Sequence, residues 1–212
     1  RVGTYCVQCA LIVLEGCDRA GKSTQAKMLM DALTRLGFST KCRQFPNRQI
    51  STDIMINEDL TCKKDLPSET VHLLFSANRW EHSDEIKTAL EAGTTVILDR
   101  YAASGAAYGA ANTGRHLDWC KEPDKGLPAP DIVAYLRVDE ESQKLRSGCA
   151  GERFERKEFQ QTVACNYLNL ADDTWKIFEK GDIDTTHSKI LAEVMEVLEN
   201  VADQPIKKLY DS

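Results

Sequence analysis

The chain has 212 residues, of which 42% are hydrophobic and 28% charged, and its formal net charge is −6. This length suits one domain, so we expect residues 1–212 to form a single unit that buries roughly 70% of its unfolded surface. The negative charge argues against a nucleic-acid polymer or an acidic membrane surface as a partner. No apolar run reaches the roughly 18 residues of a membrane span, so no transmembrane helix is predicted.

The eight cysteines show no regular spacing. Cys6 and Cys9 form one C-x-x-C pair, and no second pair stands at the spacing of a zinc site. We expect reduced thiols and a cytoplasmic location, with a nuclear or organellar pool as the alternative. A redox or metal role for the pair is the second interpretation.

Short apolar runs alternate with amphipathic stretches along the chain. Strands are predicted at residues 10–14, 40–45, 94–98, 132–136 and, with a weaker pattern, 175–178. Helices are predicted at residues 22–36, 68–80 with Ser68 as N-cap, 82–92, 140–146, 157–171 and 186–201. This alternation predicts an α/β fold with a five-stranded parallel sheet covered by helices on both faces. Ligands are then expected at the carboxyl ends of the strands.

Residues 16–24 (GCDRAGKST) match the phosphate-loop pattern G-x-x-x-x-G-K-[ST] in full, and they lie between a predicted strand and a predicted helix. The glycines let the backbone curl so that successive N–H groups and the helix N-terminus face phosphates. We expect Lys22 to bridge the β- and γ-phosphates of ATP and Ser23 to bind Mg²⁺. The predicted nucleotide-binding residues of this loop are Gly16, Arg19, Ala20, Gly21, Lys22, Ser23 and Thr24.

The loop indicates nucleotide binding but leaves the reaction open. A GTPase is expected to carry an N/T-K-x-D motif, which is absent, and the only D-x-x-G lies inside the loop, at Asp18 to Gly21. A motor or helicase ATPase would normally be longer. A P-loop NTPase fold acting as a small-molecule kinase is therefore favoured.

Asp99-Arg100-Tyr101 follows directly on the strand predicted at 94–98. A carboxylate at a strand end beside a phosphate loop is suited to hold Mg²⁺ or to orient an acceptor, and the neighbouring guanidinium is suited to grip an acceptor phosphate. The alternative is a helix-start Asp followed by a solvated Arg.

Phe75 and Arg79 are four residues apart on one predicted helix and therefore project from the same face. This spacing suits a flat base, on which the ring stacks while Arg79 donates to an acceptor atom at its edge. A plain core position is the alternative for Phe75. Phe45-Pro46-Asn47-Arg48 adds another Arg just after a strand, with a surface position as its alternative.

Residues 146–153 (RSGCAGER) join two predicted helical stretches through a small loop that contains glycines and has an Arg at each end. We interpret residues 146–155 as a lid that includes Arg146, Glu152 and Arg153, with glycines for the hinge and the two arginines for the developing phosphoryl charge. The alternative is an ordinary solvated turn.

Residues 10–180 resemble the thymidylate kinase family. The matching segments are LIVLEGCDRAGKSTQ, QFPNR, VHLLFSANRWE, ILDRYAASGAAY, LDWCKEPDKGLPAPD and GERFE. The phosphate loop resembles that of the eukaryotic and viral branch of the family, which carries an Arg at the position of Arg19. The resemblance implies a homodimer and Mg²⁺-dependent transfer from ATP to dTMP, with some activity on dUMP.

The resemblance also implies residue roles. Catalysis would fall to Arg19, Lys22, Asp99 and Arg100, with Mg²⁺ at Ser23 and Asp99 and with Arg146 against adenine. The acceptor would contact Asp18, Phe45, Arg48, Phe75, Arg79, Arg100, Gly105, Tyr108 and Gln160, with Phe75 stacked on thymine, Arg79 at its O4 and Tyr108 under the deoxyribose. Phe154 and Tyr108 stand where many relatives have Tyr and Phe.

Two alternatives remain at this stage. A deoxynucleoside kinase would phosphorylate a 5′-hydroxyl, and the phosphate-binding cations Arg48 and Arg100 argue against it. A nucleotide-binding regulator without catalysis would not need the whole set of Arg19, Lys22, Ser23 and Asp99.

Overall fold

The computed structural model describes residues 9–46, 51–61, 65–138, 157–179, 181–201 and 204–211. Five strands lie in one sheet, and all paired strands are parallel. Their bounds are β1 Leu11–Glu15, β2 Thr40–Gln44, β3 Thr95–Asp99, β4 Ile132–Arg137 and β5 Trp175–Glu179. The predicted five-stranded parallel sheet is confirmed, and each predicted strand lies within one residue of its observed bounds.

The strand order is β2-β3-β1-β4-β5, so β1 lies at the centre with β3 on one side and β4 on the other. Every residue of β1 and of β3 is buried, which explains why both read as unbroken apolar runs. Leu14 pairs with Asp99 across the β1–β3 ladder. The chain segments that follow these two strands therefore leave the sheet side by side.

Helices cover the sheet on both faces. The described helices are α1 Lys22–Arg35, α2 Ser51–Leu60, α3 Ser68–Glu81, α4 Ser83–Glu91, α5 Ala102–Thr113, α6 Leu117–Lys121, α7 Lys157–Leu170 and α8 Ile183–Asn200, with a 3₁₀ turn at Glu122–Asp124. Alternate residues of β1 face opposite sides: Ile12 and Leu14 belong to the core cluster that α1 and α8 cover, whereas Leu11 and Val13 belong to the one that α4 covers.

Some helix predictions need correction. Ser68 is not the N-cap of α3 but its first residue, and Pro67 takes the cap position without a side-chain hydrogen bond. The last helix begins at Ile183 rather than residue 186, because the carboxylate of Asp182 accepts from the N–H of Thr185 (2.9 Å) and caps it. Helices α2, α5 and α6 were not predicted. The helix predicted at 140–146 lies outside the described residues.

Two arginines adopt left-handed backbone at the carboxyl edge of the sheet. Arg19, in the loop after β1, has φ 62°, and Arg100, directly after β3, has φ 69°. Positive φ is uncommon for residues other than glycine and often occurs at functional sites. Within the described part of the chain, no helix combines the length and apolar character needed to cross a membrane.

Candidate active site

The phosphate loop connects β1 to α1 through backbone that favours glycine. Gly16 has φ 145° and Gly21 has φ 96°, and a Cβ at Gly16 would lie 2.6 Å from the carbonyl oxygen of Leu136. A side chain at Gly16 would therefore collide with β4. Helix α1 starts at Lys22 with no side-chain cap, so its first N–H groups are available to an anion.

Lys22 is 5% exposed and lies inside the loop. Its Nζ donates to the carbonyl oxygens of Gly16 (3.0 Å) and Cys17 (2.8 Å). Burial, reinforced by the positive charge of Arg100, lowers the pKa of Lys22 to about 8. Both acceptors are uncharged carbonyl groups. A bound phosphate that took their place would give the ammonium of Lys22 an anionic partner.

Ser23 and Asp99 meet between the loop and the end of β3. The hydroxyl of Ser23 donates to Oδ2 of Asp99. Oδ1 of Asp99 is buried and has no hydrogen-bond partner, although the residue is only 2% exposed. A hydroxyl beside an unsatisfied buried carboxylate oxygen is a donor set that suits Mg²⁺, which prefers oxygen ligands and retains several waters. The residues therefore fit the metal expected from the sequence.

Arg100 connects the phosphate loop to α5. Its Nη1 donates to the carbonyl of Gly16 (3.2 Å) and to Oγ of Ser104 (3.2 Å), and its Nη2 donates to the carboxylate of Asp18. The guanidinium also lies over the ring of Tyr108, 5.1 Å from the centroid. Burial alone would lower the pKa of Arg100, but the neighbouring phenols and carboxylates raise it, so the cation is permanent.

The carboxylate of Glu15 is the centre of this network, and it is fully buried. Its Oε1 accepts from the N–H groups of Tyr101 (2.9 Å) and Ser104 (3.0 Å). Its Oε2 accepts from the hydroxyls of Ser104 (2.6 Å) and Tyr167 (3.1 Å). Glu15 thereby fixes the first turn of α5, and with it the position of Arg100, relative to the phosphate loop.

A cavity of about 300 Å³ opens beside the loop and extends along α3 and α5. Its wall includes Arg19, Lys22 and Asp99 at one end, and Phe75 and Arg79 from α3. The nucleotide loop and the predicted base-binding face therefore share one cavity. Phe75 is also half-buried against Ile56 and Leu60, so the stacking and core interpretations of this ring are compatible.

The guanidinium of Arg79 is held by a buried ion pair. Its Nε (3.0 Å) and Nη2 (2.7 Å) donate to the two oxygens of Asp124, and both side chains are nearly inaccessible. Ser76 adds a hydroxyl hydrogen bond to the same carboxylate (2.7 Å). A bidentate pair fixes the plane of the guanidinium, and this arrangement leaves Nη1 outside the pair with Asp124.

Two glycines of α5 make room for side chains of α3. A Cβ at Gly105 would lie 2.4 Å from Nη2 of Arg79, and one at Gly109 would lie 2.4 Å from Nδ1 of His72. Burial, together with the charge of Arg79, lowers the pKa of His72, so this ring is neutral at neutral pH. Because neither glycine has a side chain, the two helices can approach each other at the predicted base-binding face.

Asp18, Tyr108 and Gln160 meet beside the phosphate loop, and the first two of them line the cavity. Gln160, from α7, donates through Nε2 to Asp18 (2.8 Å), and its Oε1 accepts from the N–H of Asp18 (3.2 Å). The hydroxyl of Tyr108 donates to the same Oε1 (3.4 Å). Burial raises the pKa of Tyr108, so its phenol stays protonated.

The sequence around these residues matches that of a known protein family. The family profile described as thymidylate kinase matches residues 14–190. The chain belongs to the thymidylate kinase family. It is therefore an ATP-dependent phosphotransferase with the P-loop NTPase fold.

Individual thymidylate kinases match over most of their length. The enzyme of Arabidopsis thaliana is 44% identical over 205 residues, which is 96% of this chain and 78% of that protein. The enzyme of Homo sapiens is 38% identical over 205 residues, covering 95% and 97%. The structure of the Candida albicans enzyme, described as having broad substrate specificity, superposes with a TM-score of 0.84 at 36% identity, covering 94% of this chain and 97% of that one.

The structure brings most of the site residues predicted from the sequence to one cavity. Its wall contains Asp18, Arg19, Lys22, Ser23, Phe45, Phe75, Arg79, Asp99, Arg100, Gly105 and Tyr108. Gly16, Ala20, Gly21 and Thr24 belong to the adjoining loop and the start of α1, and Gln160 contacts Asp18. Arg48, Arg146, Glu152, Arg153 and the predicted lid at 146–155 lie outside the described residues.

Two positioning residues were missed by the sequence interpretation. Glu15 follows the strand predicted at residues 10–14 and was given no role, and Asp124 is part of a matching segment without a role. Their partners Ser104 and Arg79 are 89 and 45 residues away. A charged residue directly after a continuous apolar run, before the phosphate loop, was the one available signal, and it applied to Glu15 alone.

Proposed function

We propose that this protein transfers the γ-phosphoryl group of ATP to dTMP, giving ADP and dTDP. The observation that carries the proposal is the single cavity in which the phosphate loop, with Lys22 and Arg19, faces the Phe75–Arg79 side of α3. A phosphate donor and a flat base can be held there together. The family membership supports the same reaction.

The protein groups act by orientation and by charge. The bond between the γ-phosphorus and the β–γ bridging oxygen breaks as an oxygen of the acceptor phosphate bonds to that phosphorus. Lys22 and the N-terminus of α1 would hold the β- and γ-phosphates, and Arg19 would stabilise the negative charge on the transferring group. Arg100, fixed by Glu15 through Ser104, would hold the acceptor phosphate in line.

Mg²⁺ is proposed as the cofactor, with Ser23 and Asp99 as the protein groups that hold it. When bound, it would neutralise charge on the phosphates of ATP. Arg79 would read the O4 edge of thymine with its Nη1, Phe75 would stack on the ring, and Tyr108 would pack under the deoxyribose. One methyl group gives only about 1–3 kcal/mol of discrimination, so we also propose appreciable activity on dUMP.

A homodimer is proposed as the working assembly. Leu73 and Trp80 on α3 are 48% and 40% exposed, and a dimer formed through α3 would cover these two apolar side chains. Sedimentation of the protein and of a Leu73→Asp variant tests this, because a dimer formed through α3 should dissociate in the variant, whereas a monomeric wild type contradicts the proposal.

The test of the reaction is a steady-state comparison of dTMP, dUMP, dGMP, dCMP and UMP with ATP and Mg²⁺. We expect dTMP to have the highest kcat/KM, with dUMP next. Thymidine is included because phosphorylation of the nucleoside would indicate the deoxynucleoside kinase alternative. Failure to phosphorylate dTMP would overturn the proposal.

A further inference from the structure

The C-terminal segment at residues 204–211 lies antiparallel to residues 126–129. Pro128 and Lys208 form the bridge between the two segments. Three backbone hydrogen bonds join them, given with the donor first: Leu209 to Leu127 (2.8 Å), Gly126 to Leu209 (3.0 Å) and Ala129 to Lys207 (2.8 Å). These bonds hold residues 126–129, which lie in a loop outside the central sheet.

The held loop continues directly from the residue that fixes Arg79. Only Lys125 separates Asp124 from Gly126, the first residue bonded to the C-terminal segment. The carboxylate of Asp124 is fully buried and accepts both hydrogen bonds from Arg79. A displacement of residues 126–129 would therefore move Asp124 and release the guanidinium that lines the acceptor cavity.

Side chains of the C-terminal segment reinforce this contact. Ile206 and Leu209 pack against the core cluster that contains Leu127 and Tyr101. Tyr210 follows with φ 57°, a conformation that is a marked outlier for a bulky residue and persists only where the surroundings hold it.

The ring of Tyr210 lies near Lys121, three residues before Asp124. Lys121 Nζ lies 5.6 Å from its ring centroid. Burial raises the pKa of Tyr210, the negative charge of Asp124 raises it further, and Arg79 acts in the opposite direction. The contact with Lys121 places the ring beside the segment that leads to Asp124.

We propose that residues 204–211 are a positioning element for recognition of the acceptor base, acting through residues 126–129 and Asp124 on Arg79. This inference rests on the proposed function, because it assumes that Arg79 reads the base. It assigns to the C-terminal segment a role in specificity, in addition to its packing on the core.

The experiment compares the wild type, a chain lacking residues 204–212, and the variants Tyr210→Ala and Asp124→Asn. The acceptors are dTMP and 5-methyl-2′-deoxycytidine monophosphate, which carries an amino group in place of O4. For the truncated chain and for Asp124→Asn we expect the KM for dTMP to rise roughly tenfold, because a charge-assisted hydrogen bond is lost. The preference for dTMP should fall by a similar factor, while the KM for ATP stays within about twofold.

Lys207→Ala is the matched control, because Lys207 contributes a backbone bond but its side chain is exposed. It should leave both acceptors unchanged. If the truncated chain does not fold, the Tyr210→Ala variant tests the inference. It should raise the KM for dTMP by a smaller factor and leave the KM for ATP unchanged. The inference is overturned if the variants lose thermal stability but keep the preference for dTMP. It is also overturned if the KM values for ATP and dTMP rise by the same factor. A wild type inactive on dTMP would instead contradict the proposed function itself.

Discussion

The guanidinium of Arg79 occupies the space beside Gly105: a Cβ built on that glycine would lie 2.4 Å from Nη2, 2.8 Å from Cζ and 2.9 Å from Nη1. Arg79 cannot easily retreat, because Asp124 holds both its Nε and its Nη2. The identity of residue 105 therefore controls the position of the group that we assign to base recognition.

Gly105→Ala should raise the KM for dTMP roughly 10- to 100-fold, since displacement of a positioning group by about 1 Å has effects of this size. The KM for ATP should change little. Steady-state kinetics with each substrate varied in turn measures this split. Gly37→Ala is the control: Gly37 has φ 94° with open space around it, so the change strains the backbone far from the cavity. Equal effects of the two variants would contradict the role of Gly105.

Arg19→Gly should lower kcat on the order of 10³-fold, by analogy with arginine residues that stabilise a transferring phosphoryl group. Glycine accepts the observed φ of 62° without strain, so the loop backbone is preserved and only the guanidinium is lost. The affinity for ATP, measured by calorimetry, serves as the control and should change far less than kcat. Near-normal turnover of the variant would exclude this role for Arg19.

ATP binding should weaken as the pH rises through about 8, because burial and Arg100 lower the pKa of Lys22 to about 8 in the free protein. The anionic phosphates favour the protonated amine, so binding near pH 8.5 should take up a fraction of a proton. Calorimetry in two buffers with different ionisation enthalpies measures this uptake. Lys22→Arg should abolish it, because arginine stays charged throughout this range. Proton uptake that persists in this variant would show that another group titrates.

Glu15→Gln should lower the free energy of unfolding by about 1–3 kcal/mol, because an amide nitrogen would face donors that now share a buried carboxylate. It should also raise the KM for dTMP, because Glu15 would no longer hold Ser104, and through it Arg100, in position. Urea denaturation measures the first effect. Glu91→Gln, at an exposed position, should change stability by less than about 0.5 kcal/mol. If the two variants are equally stable, the network around Glu15 does not stabilise the fold.

The sequence predicted those parts of the structure that depend on local pattern. The apolar run of β1, the loop at residues 16–24 and the start of α1 at Lys22 follow from neighbouring residues, and they were located within one residue. The meeting of Ser23 with Asp99 also followed, since parallel strands end at one edge of the sheet.

The remainder depends on contacts between distant segments. Helix α5 is rich in Ala and Gly and has a weakly amphipathic pattern, so its sequence (AASGAAYGAANT) gives little helical periodicity. Arg79 pairs with Asp124, which is 45 positions further along the chain and ends a 3₁₀ turn. No pattern of neighbouring residues predicts such a pair. The N-cap of α3 was predicted one residue late because Ser68 has the side chain of a cap.

The pairing of Leu14 with Asp99 has a mechanical consequence for an enzyme with two substrates. Adjacent strands of a sheet stay about 4.8 Å apart, and their hydrogen bonds resist shear. The phosphate loop after β1 and Arg100 after β3, to which we assign the donor and acceptor phosphates, are therefore anchored to a common rigid base. A movement confined to the outer helices would leave the distance between these two groups unchanged, so accurate transfer would not require a rigid outer layer.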